Sequence, residues 1–191
     1  IKSKNGLVTS TEWNETKLNT VSDYTQTINF YTDLSNKYGF NYRSLNWGSK
    51  KSQYLRFEKL FEIGDLNKSS ILDVGCGIGE MYQCLRQNNL SIKYFGIDIT
   101  PKMIDLCMER FPKQINNFRC IDILTLKDSE LQFDWVVASG IFYLLKDKPF
   151  ETSLNLINKM YTFSKKGLAF NSLSSSNQNR DKGEFSMDPY E

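Results

Sequence analysis

An α/β fold built on a mainly parallel sheet is what this sequence predicts, and three observations predict it. Between residues 70 and 173, strand-like apolar runs alternate with stretches of helical period, which means a parallel sheet covered by helices on both faces. The first such run, Ile71-Leu72-Asp73-Val74, turns through Gly75, Gly77 and Gly79 into a helical stretch opening at Glu80. Acids close two further runs, Asp98 and Asp122, and sheets of this class bind ligands at the carboxyl ends of their strands.

The elements follow in order. Residues 1–10 are polar and read as loose. Tyr24, Ile28, Tyr31, Leu34 and Tyr38 recur at spacings of three or four, which predicts a helix over 11–38, stopped at Gly39. A second helix is expected over 49–62, with Tyr54, Phe57, Leu60 and Phe61 on its apolar face and Gln53 and Arg56 together on the opposite one. A strand over 70–75 leads to a helix over 79–88, then to a second strand over 92–99. Thr100-Pro101 starts the next helix, a capping hydroxyl with proline at the first helical position. A third strand runs through Asn117-Phe118-Arg119-Cys120-Ile121-Asp122 to Ile123, and a fourth covers 133–139. Residues 149–163 form a helix, and a fifth strand begins at Gly167. The remainder is polar and loop-like. This divides the chain into an N-terminal helical cap over 1–66 and a core over 67–191.

Composition narrows the function. The chain has 191 residues, 40% apolar and 24% charged, with a net charge of +2, enough for one α/β core and with no clear signal for nucleic acid or an anionic membrane. No apolar run reaches the length of a membrane span. Cys76, Cys84, Cys107 and Cys120 are far apart, without a CxxC pair, so reduced thiols in the cytoplasm are expected and a zinc site or disulfide framework is not. The absence of histidine removes histidine metal sites, Ser-His-Asp and Cys-His catalysis, and a histidine base. No metal is expected, and nothing here sets an oligomeric state.

The glycine turn has two competing ligands. Dinucleotides use G-x-G-x-x-G, in which the pyrophosphate meets a helix N-terminus. Here the spacing is G-x-G-x-G, and Glu80 places an acid at the helix start, which disfavours a pyrophosphate and tolerates a cation. Asp73 adds a carboxylate just before the turn.

Residues 72–79, LDVGCGIG, resemble the first motif of the class I S-adenosylmethionine-dependent methyltransferases, and Asp98 stands where that family carries its second acid. The resemblance covers about 70–173. It implies a Rossmann-like three-layer sandwich, usually of seven strands. Five are readable, so the natural protein is expected to continue beyond Glu191. It also implies S-adenosylmethionine as the methyl donor. By the same resemblance, Gly75, Cys76 and Gly77, with Asp73 beside them, would border the methionine part. Asp98 would accept both ribose hydroxyls, Ile99 would pack on the adenine, and Asp122 and Ile123 would meet its amino edge. Ser139 and Gly140 would contact the amino acid part. Upstream, Arg56 would bind the cofactor carboxylate and Trp47 would wall the sulfonium; a surface helix entered by a packed tryptophan is the competing reading of that stretch.

No catalytic residue is assigned. Without histidine a base would come from Asp, Glu, Tyr, Lys, Cys or water, and Tyr143 lies nearest the fourth strand. No Asn-Pro-Pro-Tyr or Asp-Pro-Pro-Tyr follows that strand, which counts against adenine-N6 or amide-nitrogen methylation; Asp188-Pro189-Tyr190 lies in the tail. The acceptor expected is a small molecule. Alternatives are an RNA- or protein-directed methyltransferase, for which Lys50-Lys51 and Lys165-Lys166 are too little basic surface, a non-catalytic module that binds S-adenosylmethionine, and a nicotinamide-binding domain.

Overall fold

The computed structural model describes residues 24–127, 131–176 and 183–188. Its sheet contains β1 (Ser70–Val74), β2 (Lys93–Asp98), β3 (Phe118–Cys120), β4 (Phe133–Ser139) and β5 (Ser164–Asn171). They lie in the order β3-β2-β1-β4-β5, every pair parallel, with Leu72 opposite both Phe95 and Val136. From β1 the chain steps outward through β2 and β3, then returns to β1's other side for β4 and β5. The strand order therefore reverses between β1 and β4, which is where such sheets open a crevice at their carboxyl ends.

The helices are α1 (Thr25–Tyr38), α2 (Lys50–Phe61), α3 (Glu80–Gln87), α4 (Pro101–Arg110) and α5 (Pro149–Thr162). The sheet's two faces bury separate cores, because successive strand residues point to opposite sides. Ile71, Tyr94, Phe118 and Val137 face a cluster with Phe57, Leu60, Met81, Leu85, Ile104 and Phe111, which brings α2, α3 and α4 to one side. Leu72, Ile97, Val136 and Ala138 face Leu156, Met160 and Phe163 of α5 on the other. This is the three-layer α/β sandwich expected. Of the segment before β1, α2 packs into the layer over the sheet. In contrast, Tyr31 of α1 and Leu45 pack against Ile78, Met103 and Leu106 near the strand ends.

Several expectations are corrected. The first helix is seen from Thr25; residues 1–23, which include the expected loose end and the helix start at 11, lie outside the described residues. A 3-10 turn at Tyr42–Leu45, capped by the Asn41 side chain, had no distinct signal. Ser49 caps α2 through a bond from the Ser52 N–H. The third strand ends at Cys120 rather than Ile123, because the Asp122 carboxylate accepts the Leu124 N–H and turns the backbone into a 3-10 turn at Ile123–Thr125. The fifth strand starts earlier than Gly167, at Ser164, which already pairs with Phe133. Thr100 occupies the cap position of α4 without a side-chain capping bond; its own N–H is taken by Asp98. The tail does not trail away: the Phe185 N–H donates to the Tyr143 carbonyl at 3.0 Å and the Met187 N–H to the Leu173 carbonyl at 2.9 Å.

Candidate functional site

A cleft with about 1080 Å³ of empty space, its open mouth included, lies over the carboxyl ends of β1, β2 and β4. That is ample for a ligand of nucleoside size. Its floor is Asp73 to Gly77, Ile97 to Thr100, Ile121 to Ile123 and Ser139 to Ile141; its roof is Tyr24, Thr27 and Tyr31, with Leu45, Trp47, Gln53 and Phe57 closing one end.

The glycine turn is held by β2. The N–H groups of Gly75 and Cys76 both donate to the Ile97 carbonyl, at 2.8 and 3.0 Å. The Gly77 N–H donates to Asp98 Oδ2 at 2.9 Å, and the Thr100 N–H to Asp98 Oδ1 at 2.8 Å. One carboxylate thus ties the turn after β1 to the helix start after β2. A carboxylate accepts about four hydrogen bonds, so Asp98 keeps capacity toward the cleft. Gly75 and Gly77 have φ of +76° and +54°, and a Cβ on either would stand 2.3 Å from Ile141 Cγ2 or Leu45 Cδ2. The positive φ requires glycine there, and a Cβ would in addition displace those side-chain ends.

The cleft's acids differ in state. Asp73 is buried and accepts a hydrogen bond from the Tyr94 hydroxyl; burial pushes its pKa up to about 7, with the Asp98 charge adding to the rise against the Tyr94 bond. Burial also raises Asp98, opposed by the Thr100 and Gly77 N–H donors. Asp122 is raised by burial against one backbone donor, Leu124, and its Oδ2 has no partner among the described residues. Glu80 requires a correction. Its Oε1 lies 2.8 Å from Arg110 Nη1 and its Oε2 accepts from the Tyr54 hydroxyl at 3.3 Å. The acid at the helix start is neutralised by an arginine thirty residues on, so its charge says less about the ligand than its position suggested.

The upstream segment sorts differently from its pattern. Gln53 shares the inward face of α2 with Phe57 and Leu60, all three buried, and not an outer face with Arg56. It is wholly buried, lines the cleft, and neither atom of its carboxamide has a partner among the described residues. Leaving such a group unpaired costs about 1–3 kcal/mol, so a polar ligand group beside it would be favoured. Arg56 lies away from the cleft, beside a second cavity with about 670 Å³ of empty space, its open mouth included, and its guanidinium is 4.9 Å from the Trp47 ring centre. Trp47 walls both spaces. Ser139 and Gly140 border the cleft, but the Gly140 N–H already donates to Asn171 Oδ1 at 3.1 Å, and Asn171 Nδ2 donates to Ser139 Oγ at 2.9 Å. Above them the Tyr31 and Tyr143 hydroxyls are bonded at 2.8 Å. Of the sequence-derived candidates, Asp73, Gly75, Cys76, Gly77, Asp98, Ile99, Asp122, Ile123, Ser139, Gly140 and Trp47 come together around one cleft; Arg56 does not. Gln53 and Tyr31 join them. The signal available for Gln53 was its spacing from Phe57, four residues on; Tyr31 had only its place in an apolar stripe. Among the described residues no cluster could hold a metal ion, and no helix is long and apolar enough to cross a membrane.

Residues 71–165 match the family model described as a methyltransferase domain. A Mycobacterium tuberculosis protein described as a methyltransferase is 32% identical over 113 residues, 56% of this chain and 64% of that protein. Malonyl-acyl carrier protein O-methyltransferase of Acetivibrio thermocellus is 33% identical over 93 residues, 46% of this chain and 32% of its own length. The chain thus spans less than two thirds of either relative. Among solved structures, the magnesium protoporphyrin IX methyltransferase of Synechocystis PCC 6803, crystallised with bound S-adenosylmethionine, superposes with a TM-score of 0.62 at 18% identity, over 91% of this chain and 84% of that one. At that identity the likeness is one of fold.

Proposed function

We propose that the chain, whose residues 71–165 match a methyltransferase domain, is a class I S-adenosylmethionine-dependent methyltransferase that transfers a methyl group from S-adenosylmethionine to a small-molecule acceptor. The observation that carries the reading is the Asp98 carboxylate, bonded to Gly77 and Thr100 at the switch point of the sheet while lining the cleft. Such a group accepts a pair of ribose hydroxyls without moving.

The residues present fit that cofactor. S-adenosylmethionine supplies a methyl group already activated on a cationic sulfur, so the chain's work is binding and orientation. Asp98 sets the ribose, while Ile99, Asp122 and Ile123 border the adenine end. Gly75 and Gly77 leave the backbone open to close approach. The unpaired Gln53 carboxamide, which can both donate and accept, suits the ammonium and carboxylate of an amino acid. The Trp47 ring offers a face to a positive sulfur. Arg56, on the far side of Trp47, drops out as the carboxylate anchor. α1 and the 3-10 turn at Tyr42–Leu45 act as the cap that excludes water. Orientation of this kind accounts for about 7–11 kcal/mol of a bimolecular barrier. The small-molecule acceptor is supported by the modest net charge of +2 and by a relative from Rhodobacter capsulatus named as a magnesium-protoporphyrin O-methyltransferase. A cytoplasmic setting belongs to the same proposal and is supported by four unpaired cysteines.

Calorimetric titration with S-adenosylmethionine, S-adenosylhomocysteine and NAD tests the reading. The first two are expected to bind the wild type, and NAD is not. Asp98→Ala, which removes two or more charge-assisted hydrogen bonds, should weaken both by about 10–100-fold. Binding of NAD alone would overturn the assignment.

A further inference from the structure

The cleft and the second cavity meet at one wall. Leu45, Trp47, Gly140 and Tyr143 line both, so a methyl group passing from the first space to the second crosses there. Arg56 stands on the far side of that wall against Trp47, half-buried, and among the described residues no carboxylate lies within 4 Å of it. A desolvated guanidinium without a counter-charge attracts an anion.

A second observation concerns what this junction lacks. The chain has no histidine. The hydroxyls at the wall, Tyr31 and Tyr143, are bonded to each other, and Asn46 Nδ2 donates to Tyr143 at 3.3 Å. Burial raises both phenols, Tyr31 well above its ordinary value, so they stay protonated and act as donors. Asp73 is engaged by Tyr94. Among the described residues, none of the four that form the wall, Leu45, Trp47, Gly140 and Tyr143, is placed to take a proton from an alcohol or an ammonium. A carboxylate, already ionised at neutral pH, needs none taken.

We infer that the second cavity is the acceptor site and that the acceptor presents a carboxylate to Arg56, to be converted to its methyl ester. This rests on the methyltransferase reading above. In the step, a carboxylate oxygen lone pair forms a bond to the methyl carbon as the carbon–sulfur bond breaks, its electron pair leaving on sulfur. The anion and the sulfonium cation become a neutral ester and a neutral thioether, and no proton moves. Arg56 and the Tyr143 hydroxyl hold the carboxylate in line. Glu184 also lines the cavity and its charge adds to the elevation of Tyr143, so an anionic group is drawn toward the Arg56 end.

The test uses the chain with S-adenosylhomocysteine bound, as wild type, Arg56→Gln and Arg56→Lys. The probes are benzoate, phenylacetate and octanoate, each beside its primary amide, with binding read by saturation-transfer NMR and tryptophan fluorescence. At least one carboxylate should bind the wild type and its amide should not. Arg56→Gln should weaken that binding by about tenfold or more, and Arg56→Lys should restore part of it. S-adenosylhomocysteine affinity should stay within about twofold in all three. With radiolabelled S-adenosylmethionine, the bound carboxylate should yield a product that releases volatile methanol in mild alkali. Equal binding of acid and amide, loss of S-adenosylhomocysteine affinity in Arg56→Gln, no binding by any probe, or an alkali-stable product would each overturn the inference while leaving the methyltransferase reading intact. A wild type that binds no S-adenosylhomocysteine would overturn both.

Discussion

The Tyr31 and Tyr143 hydroxyls meet at 2.8 Å across 112 residues of chain, fastening α1 to the loop that follows β4. The bond crosses the roof of the cleft. Tyr31→Phe should lower stability by about 0.5–1.5 kcal/mol and speed cofactor release, because the roof loses its polar tie while keeping its apolar packing against Ile78, Met103 and Leu106. Urea denaturation and stopped-flow displacement of S-adenosylhomocysteine measure the two effects. An unchanged release rate would show that α1 does not act as a cap.

Asp98→Asn probes the joint between β1 and β2. A carboxamide presents one acceptor and one donor where Gly77 and Thr100 both donate, so one backbone N–H faces another donor. Stability should fall by about 1–3 kcal/mol, and S-adenosylhomocysteine affinity should fall as well. Thermal unfolding with and without ligand separates the two losses. A variant that binds normally would remove Asp98 from the site.

Gly77→Ala combines backbone strain with a clash. Its φ of +54° disfavours alanine, and the new Cβ meets Leu45 Cδ2 at 2.3 Å. The strain alone is about 1–3 kcal/mol. Shortening Leu45 to alanine relieves the clash and leaves the strain, so Leu45→Ala with Gly77→Ala should cost less than the sum of the single changes. A double-mutant cycle in urea reads the difference; strict additivity would mean that the two side chains do not meet.

Asp73 makes stability depend on pH in a stated direction. Its carboxyl is raised from 3.8 to about 7 when folded, chiefly by burial. Between those values the folded chain holds a proton that the unfolded chain has lost, so this group's contribution is full below about pH 4 and disappears as pH rises through 7. At about 1.4 kcal/mol per unit, the span is about 4 kcal/mol at most. Asp98 and Asp122 are raised in the same sense and Asp134 is lowered, so the measurement is the difference between wild type and Asp73→Asn. The asparagine variant, which still offers Tyr94 an acceptor, should show a flatter decline from pH 5 to pH 8. Identical profiles would refute the shift.

The site's floor was legible in the sequence because it depends on neighbours in the chain. Gly75 and Gly77 are needed by a turn a few residues long, and Asp98 follows a strand whose apolar run marks it. The fourth strand matches its expected span for the same reason: Phe133–Ser139 is apolar at five of its seven positions. The roof was harder. Gln53 and Arg56 are three apart on one helix, and spacing could not say that the layer closes over Gln53 and leaves Arg56 beside Trp47. Asp122 reads as the acid near the end of the third strand, and only the bond from the Leu124 N–H made it the cap of a 3-10 turn. Glu184, in a polar tail, gave no signal at all before the tail folded back against Tyr143.

By itself, then, the sequence determined the alternating α/β order, the strand–turn–helix at 71–80 and the acid at the end of the second strand, since these rest on periodicity and backbone requirements within about ten residues. Only the tertiary structure decided that Arg110 neutralises Glu80, that Asp98 reaches across to Gly77, and that Trp47 divides one space from another. Those pairings join residues twenty to a hundred positions apart, and which of them form depends on how the layers pack, a quantity no local pattern contains.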